Sequence, residues 1–172
     1  MAISDLWRKV FNGILFQLGW FVCVLGGNGW GLLLVAAIVF VHLRWISIDS
    51  SEWRLLALVA AMGFAVDYLS IQLGWVVLPD SEFPFWLVAL WFLFATTLRH
   101  CLSWLSGKVI LSSVIGALGG SGSYLLACRL GAAEMGGTGS IVVVYWCVTW
   151  SIMLPIYLWL AKWEALRSPA YA

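Results

Sequence analysis

Charged residues are scarce in this sequence. Only 10% of the 172 residues are Asp, Glu, Lys or Arg, whereas a soluble domain has roughly 25%. The formal net charge is +1, so electrostatics give no reason to expect nucleic acid as a partner. Hydrophobic residues make up 63% of the chain, and the mean hydropathy is +1.00. We therefore predict a multi-pass membrane protein, with residues 1–172 forming a single transmembrane domain.

Residues that mark metal or cofactor sites are also few. The sequence has two histidines, and no HxxxH or HxxE spacing places two ligands on one helix. The glycines at 116–122 follow no predicted strand, so they do not indicate a nucleotide-binding loop. The sequence accordingly predicts no cofactor and no metal. Four isolated cysteines form no CxxC pair, and we interpret them as packing thiols: Cys23, Cys101, Cys128 and Cys147.

Six long apolar segments are present, and each is long enough to cross a bilayer, which takes about 20 helical residues. Turn sequences such as "GGNG", "LPDSEFP" and "GGTGS" separate them. Asp49, Ser50 and Ser51 are candidate N-caps for the third segment. The predicted fold is all-α, with six transmembrane helices arranged as three hairpins over residues of about 8–26, 29–47, 55–78, 84–105, 109–130 and 139–162.

The basic residues predict the orientation in the membrane. The chain has nine of them, and all except Arg129 fall at the termini or in the loops of one side. Cytoplasmic loops carry an excess of Lys and Arg. We therefore expect both termini to lie in the cytoplasm.

A short motif occurs twice. "QLGW" stands at 17–20 and again at 72–75, and a Leu-Arg pair recurs with the same offset at 43–44 and 98–99. Segments one and two are then one copy of a helical hairpin, and segments three and four are another. Chance similarity in an apolar sequence of low diversity is the alternative, and the pattern leaves both open.

An aspartate stands deep in the third segment, within "GFAVDYLSIQLGW". Asp67 lies thirteen residues after the basic residue that opens this segment, or about 20 Å along a helix, which is past the bilayer midplane. Because a charge at that depth costs about 2.5–3.5 kcal/mol, Asp67 is a candidate functional residue. Helical spacing groups it with Gly63 and Ser70 on a polar stripe, and a neighbouring stripe holds Tyr68 and Gln72.

A second polar group is predicted nearer the cytoplasmic face. "VFVHLRW" contributes His42 and Arg44, and "ATTLRHCLSW" contributes Thr96, Arg99 and His100. Structural explanations also exist, because arginines can extend to lipid headgroups and histidines can form hydrogen bonds between helices. The aspartate of the third segment lies too deep to share a metal ion with these histidines, which is a second reason to expect no metal.

One stretch resembles a known family. The segment "FPFWLVALWFLFATTLRHCLSWL" (83–105), together with the two "QLGW" copies and "HLRW", resembles a family of small bacterial inner-membrane proteins catalogued as a domain of unknown function. The resemblance implies a bacterial inner membrane and a stand-alone six-helix protein. It implies no activity and no site residues.

Three functions remain open on this evidence. The first is binding or transport of a small amphipathic or lipid-like ligand, with Asp67 as a proton-titrating group, His42 and His100 as polar contacts, and Arg44 or Arg99 as an anchor for an anionic headgroup. The second is an intramembrane enzyme that uses His/Asp acid–base chemistry on lipids. The third is an accessory subunit of a membrane complex. Membrane lipids are the expected partners, and the oligomeric state stays open.

Overall fold

The computed structural model describes residues 3–47, 51–79 and 83–167, and most of these residues are helical. The α-helices are α1 (Ile3–Val41), α2 (Glu52–Gln72), α3 (Phe85–Ala95), α4 (Val109–Arg129) and α5 (Gly139–Leu166). A π-helical turn follows α1, and a 3₁₀ turn precedes α4; they are His42–Ile46 and Ser103–Leu105. The prediction of an all-α fold is confirmed, with one small addition. The two-residue strands β1 (Val76–Val77) and β2 (Glu134–Met135) pair in antiparallel fashion.

Helix α1 folds back on itself at Gly27. This residue has φ of 52° and ψ of −142°, which is outside the helical region and available to glycine at little cost. The two arms then run side by side, since a Cβ added to Gly31 would lie 3.0 Å from the Cα of Cys23. In a straight helix, residues eight apart are separated by about 12 Å. The predicted break between segments one and two therefore takes the form of a sharp reversal.

Within the described ranges, four helices are long and apolar enough to cross a membrane. They are α1 with its π-helical turn (Asp5–Ile46), α2, α4 and α5. Outward-facing side chains on these helices are apolar, for example Trp30, Ile110 and Leu118. Such faces suit contact with lipid chains, so these helices are consistent with an integral membrane protein.

The predicted segment 84–105 differs from the structure in its second half. It is α-helical only over Phe85–Ala95, and residues 96–102 form successive turns. The Thr96 and Thr97 hydroxyls donate to the carbonyls of Leu93 and Phe94, at 2.7 and 2.6 Å. Such side-chain bonds compete with the helical ladder. The α-helix therefore ends before His100, and Thr96 and His100 do not share a helical face as they would in an unbroken segment.

Helix α3 is the shortest helix and lies at the centre of the packing. It packs against α1 and α2, while α4 packs mainly against α5. Trp91 and Phe94 of α3 join residues of α2 and α5 in the largest apolar core, and Leu93 joins the two arms of α1 in a second core. Side chains on opposite faces of α3 thus connect the two parts of the bundle.

The two copies of "QLGW" occupy different structural positions. The first copy, 17–20, lies inside α1, and its Trp20 is buried. The second copy, 72–75, ends α2, and its Gly74 has a φ of 68° in the following turn. The Leu-Arg pairs differ as well, because Arg44 is exposed whereas the Arg99 side chain is only 13% exposed. Equivalent positions in the sequence are therefore not equivalent in the fold.

Two glycines of α4 allow close approach to α5. A Cβ at Gly116 would lie 2.3 Å from the carbonyl oxygen of Trp150, and a Cβ at Gly120 would overlap the Trp150 ring. Small residues permit such backbone contact between helices in lipid. By contrast, Gly119 and Gly122 have no neighbouring atom within 4 Å of an added Cβ.

The Gly116 contact can be tested with alanine substitutions. We expect Gly116→Ala to destabilise the protein by about 1–3 kcal/mol, because the clashing atom is backbone and cannot rotate away. Gly122→Ala on the same helix is the matched control and should have little effect, since the added methyl meets no atom. The measurement is thermal unfolding in detergent. Equal melting temperatures for the two variants would show that α4 and α5 do not pack this closely.

Candidate functional site

The polar residues of the bundle form two separate clusters. The polar-end cluster comprises His42, Ser51, Glu52, Arg99 and His100. The Asp67 cluster comprises Asp67, Trp91 and Tyr124. Asp67 follows Glu52 by fifteen residues of α2, or about 22 Å along the helix axis. The predicted separation in depth between Asp67 and the histidines is therefore present.

Glu52 lies at the centre of the polar-end cluster. Its Oε1 is 3.2 Å from His42 Nε2 and 3.7 Å from His100 Nε2. Its Oε2 accepts a hydrogen bond of 2.9 Å from Arg99 Nη1. Glu52 and His42 are almost fully buried. A buried carboxylate needs partners of this kind, because an unpaired charge in an apolar interior is very costly.

Three separate segments bring the polar-end cluster together. His42 begins the π-helical turn, Glu52 begins α2, and Arg99 and His100 lie in the turns after α3. Arg99 also donates from Nε to the carbonyl oxygen of Ala161 in α5, at 3.1 Å. The cluster thus ties four parts of the chain together at one end of the bundle.

Asp67 is enclosed by hydrogen-bond donors. Trp91 Nε1 donates to Asp67 Oδ2 at 2.5 Å, and the Tyr124 hydroxyl donates to Oδ1. Asp67 is 1% exposed. Gly63, one turn earlier, makes room for the Trp91 ring, since an added Cβ would lie 2.1 Å from that ring. The predicted stripe of Gly63, Asp67 and Ser70 therefore faces other helices.

A cavity of about 300 Å³ lies beside the Asp67 cluster. Its walls are mainly apolar and aromatic and include five tryptophans: Trp20, Trp86, Trp91, Trp146 and Trp150. Its polar lining groups are Gln17, Asp67, Ser123 and Tyr124. Trp91 stacks on Trp150 with ring centroids 5.3 Å apart, and Tyr124 stacks on Trp146 at 4.9 Å. These stacked pairs give the cavity flat walls.

The other predicted site residues lie apart from both clusters. The Ser70 hydroxyl is 3.2 Å from the Tyr145 hydroxyl, towards the far end of α2. Thr96 is buried, and its carbonyl oxygen accepts a bond of 3.2 Å from Asn12 Nδ2. The last three are exposed on the outside of the bundle: Arg44, Tyr68 and Gln72. The N-cap candidates Asp49 and Ser50 lie outside the described residues, and Ser51 occupies the N-cap position.

Sequence reasoning missed the acid of the polar-end cluster and both partners of Asp67. Glu52 carries little signal, because an acid in the first turn of a helix is ordinary. Trp91 and Tyr124 carry no signal either, because the chain has thirteen tryptophans and nothing in the sequence singles out Tyr124 among its five tyrosines. Which tryptophan and which tyrosine bond Asp67 depends on the faces that α3 and α4 turn towards α2.

Comparison with known proteins identifies a family. The family described as "Protein of unknown function (DUF2878)" matches residues 9–156. The resemblance to a family of unknown function is therefore confirmed over most of the chain. No curated protein and no solved structure matches the chain.

Two buried acids at the polar end allow a matched test of charge burial. Glu52 pairs with Arg99, whose side chain is 13% exposed, and Glu164 pairs with Arg54, which is 43% exposed. Removing Glu52 leaves a buried cation, so we expect Glu52→Gln to destabilise by about 3–5 kcal/mol. Glu164→Gln should cost about 1 kcal/mol, because the partner arginine can reach solvent or headgroups. Chemical unfolding in detergent measures both, and a larger loss for Glu164→Gln would contradict this account.

A double-mutant cycle tests the Asp67 cluster. Asp67→Asn places an amide where two donors converge, and Tyr124→Phe removes one of those donors. If the hydroxyl bonds the carboxylate as described, the two changes should be coupled by about 1–2 kcal/mol. The measurement is the free energy of unfolding of the wild type, both single variants and the double variant. Additive effects would show that the two side chains do not interact.

Proposed function

This chain belongs to the family described as a protein of unknown function (DUF2878), and we propose that it is an integral membrane protein that binds a small amphipathic or lipid-like ligand in the aromatic cavity. The single observation that supports this proposal is the cavity itself. Ligand sites are usually concave and mostly apolar, with a few polar groups that orient the ligand. A cavity of about 300 Å³ with five tryptophans and four polar lining groups has this composition.

The position of the cavity supports entry from the membrane. Residues of α1 and α4 both line it, yet these helices are not among the pairs that pack extensively. Helices α3 and α5, which pack against α1 and α4 respectively, supply most of the remaining wall, and Asp67 of α2 also borders the cavity. The cavity therefore occupies the gap between α1 and α4, where an apolar ligand can arrive through lipid.

The polar lining favours a ligand that carries at least one acceptor. Trp146 Nε1 is buried and has no hydrogen-bond partner among the described residues. A buried donor left unpaired costs about 1–3 kcal/mol. An oxygen of a bound ligand can satisfy this donor, while the flat indole walls take the apolar part.

In this proposal, Asp67 holds two side chains of the cavity wall in position. Both of its oxygens already accept hydrogen bonds from residues of the cavity wall. It therefore fixes the positions of the Trp91 indole and the Tyr124 ring. A proton-titrating role in transport stays a prediction, and ligand-linked proton movement in proteoliposomes that is unchanged by Asp67→Asn would exclude it.

The residues expected to contact a headgroup are not part of this cavity. His42, His100, Arg99 and Arg44 are absent from its lining. The acid–base pair that an enzyme would require does exist, since His42 Nε2 lies 3.2 Å from Glu52. However, neither side chain borders the cavity. This arrangement favours ligand binding over catalysis on a ligand held there.

The proposed membrane arrangement has six crossings, with each arm of α1 counted as one and α3 with its following turns as another. Arg54 and Arg99 lie at the polar end, whereas Arg129 ends α4 at the opposite end. The positive-inside rule then supports a cytoplasmic polar end, with both termini on that side. The bacterial inner membrane is the proposed location, with membrane lipids as partners.

Filling the cavity should prevent binding. Gly119 lines the cavity and has open space around an added Cβ, so Gly119→Leu places a side chain in it without a clash at the first carbon. Gly122→Leu is the matched control, because Gly122 has the same open space on the same helix and is not a lining residue. The probe is a brominated fatty acid, which quenches tryptophan fluorescence on contact.

We expect wild-type protein to show saturable quenching above the background from the outer tryptophans. Gly119→Leu should weaken the saturable component by about tenfold or more, equivalent to roughly 1.4 kcal/mol. Gly122→Leu should retain it. Saturable quenching that is the same in all three proteins would place the binding site outside the cavity.

A further inference from the structure

Three metal-ligating side chains meet at the polar end of the bundle. One ligand atom each from His42, Glu52 and His100 can be chosen so that all lie within 4.8 Å of one another. Glu52 Oε1 is 3.2 Å from His42 Nε2 and 3.7 Å from His100 Nε2. Zinc binds such atoms at about 2.0–2.2 Å in tetrahedral geometry, which places neighbouring ligand atoms about 3.3 Å apart. The two separations from Glu52 Oε1 to the histidine nitrogens are close to this value.

We propose that the polar-end cluster binds a divalent transition metal, represented by Zn²⁺, through His42 Nε2, His100 Nε2 and Glu52 Oε1. Two imidazoles and one carboxylate are a ligand set suited to zinc and its neighbours in the first transition row. Three protein ligands leave a fourth coordination position for water or a substrate group. The expectation of no metal rested on the lack of HxxxH or HxxE spacing and on the depth of Asp67. Here three separate segments supply the ligands, and a different acid, Glu52, supplies the carboxylate.

The hydrogen bonding of the histidines supports this assignment. His100 Nε2 is buried and has no hydrogen-bond partner in the part of the chain that the structure describes. His42 is 1% exposed, and its Nε2 lies 3.2 Å from Glu52 Oε1. Buried polar atoms without partners are rare in folded proteins and call for an explanation such as a bound ion. A metal ion would give His100 Nε2 the partner that Glu52, at 3.7 Å, does not provide.

Neighbouring groups hold the carboxylate in position for a metal. Arg99 Nη1 lies 2.9 Å from both Glu52 Oε2 and Ser51 Oγ, and Arg99 Nε bonds the carbonyl of Ala161 at 3.1 Å. Arg99 therefore engages one carboxylate oxygen and leaves Oε1 directed at the two imidazoles. Partners outside the coordination sphere commonly orient metal ligands in this way.

The backbone around His42 is also unusual. His42 begins the π-helical turn His42–Ile46, and π-helical turns within helices are rare and often occur at functional sites. This proposal is independent of the cavity, since none of the three ligand residues lines it.

The experiment uses the full chain purified in detergent, with any affinity tag removed. Zn²⁺ bound after equilibrium dialysis is measured by elemental analysis, and Co²⁺ is added to a metal-free sample for an absorption spectrum. We expect about one Zn²⁺ per chain and a Co²⁺ spectrum without the intense near-ultraviolet band of thiolate ligation. The spectrum matters because the chain also has four free cysteines.

Two variants complete the design. His100→Ala removes one ligand and should weaken Zn²⁺ binding by about tenfold or more. Glu164→Gln removes a buried acid at the same end of the bundle and should bind Zn²⁺ as the wild type does. Undiminished binding by His100→Ala, no stoichiometric Zn²⁺ on folded wild-type protein, or a thiolate band in the Co²⁺ spectrum would each overturn the proposal. The wild-type measurements decide the question even if His100→Ala does not fold.

Discussion

A carboxylate buried in an apolar bundle must be paired, and this requirement organises the structure. Glu52 is paired by Arg99 at 2.9 Å and by His42 at 3.2 Å. Asp67 is paired by neutral donors, Trp91 and Tyr124. Because each partner comes from a different part of the chain, satisfying each charge also fixes how the helices meet. The polar contacts therefore specify the arrangement of helices whose outward-facing surfaces are mostly apolar.

The two clusters pair their buried carboxylates with different chemical groups. Near the polar end, an arginine neutralises the acid through Nη1, and its Nε also donates to the Ala161 carbonyl of α5. Deeper in the bundle, aromatic N–H and O–H groups serve instead, and their rings continue into the cavity wall. A ligand-binding proposal therefore belongs to the deep cluster, and a metal-binding proposal belongs to the polar end.

Part of both clusters could be predicted from sequence, and the reasons are specific. Asp67 was identified because a carboxylate past the midplane is costly. Of the second predicted group, His42, Arg99 and His100 meet around Glu52, whereas Arg44 and Thr96 lie elsewhere. Glu52 was missed because it stands in a loop-like stretch at the start of α2, where an acid is ordinary. The short α3 was missed because a run of apolar residues does not reveal where threonine hydroxyls will interrupt the helix.

The sequence by itself determined an all-α protein whose helices are apolar enough to cross a membrane, because this depends on composition. It also determined the distance of Asp67 from the start of α2, because this depends on helical rise along one segment. The family follows from the match over residues 9–156. Only the tertiary structure decided which polar residues touch. Contacts between segments depend on the rotation of each helix about its axis and on the reversal at Gly27. With apolar residues all around most helices, the hydrophobic pattern carries almost no information about that rotation. The pairing of Glu52 with two histidines and of Asp67 with Trp91 follows from packing alone.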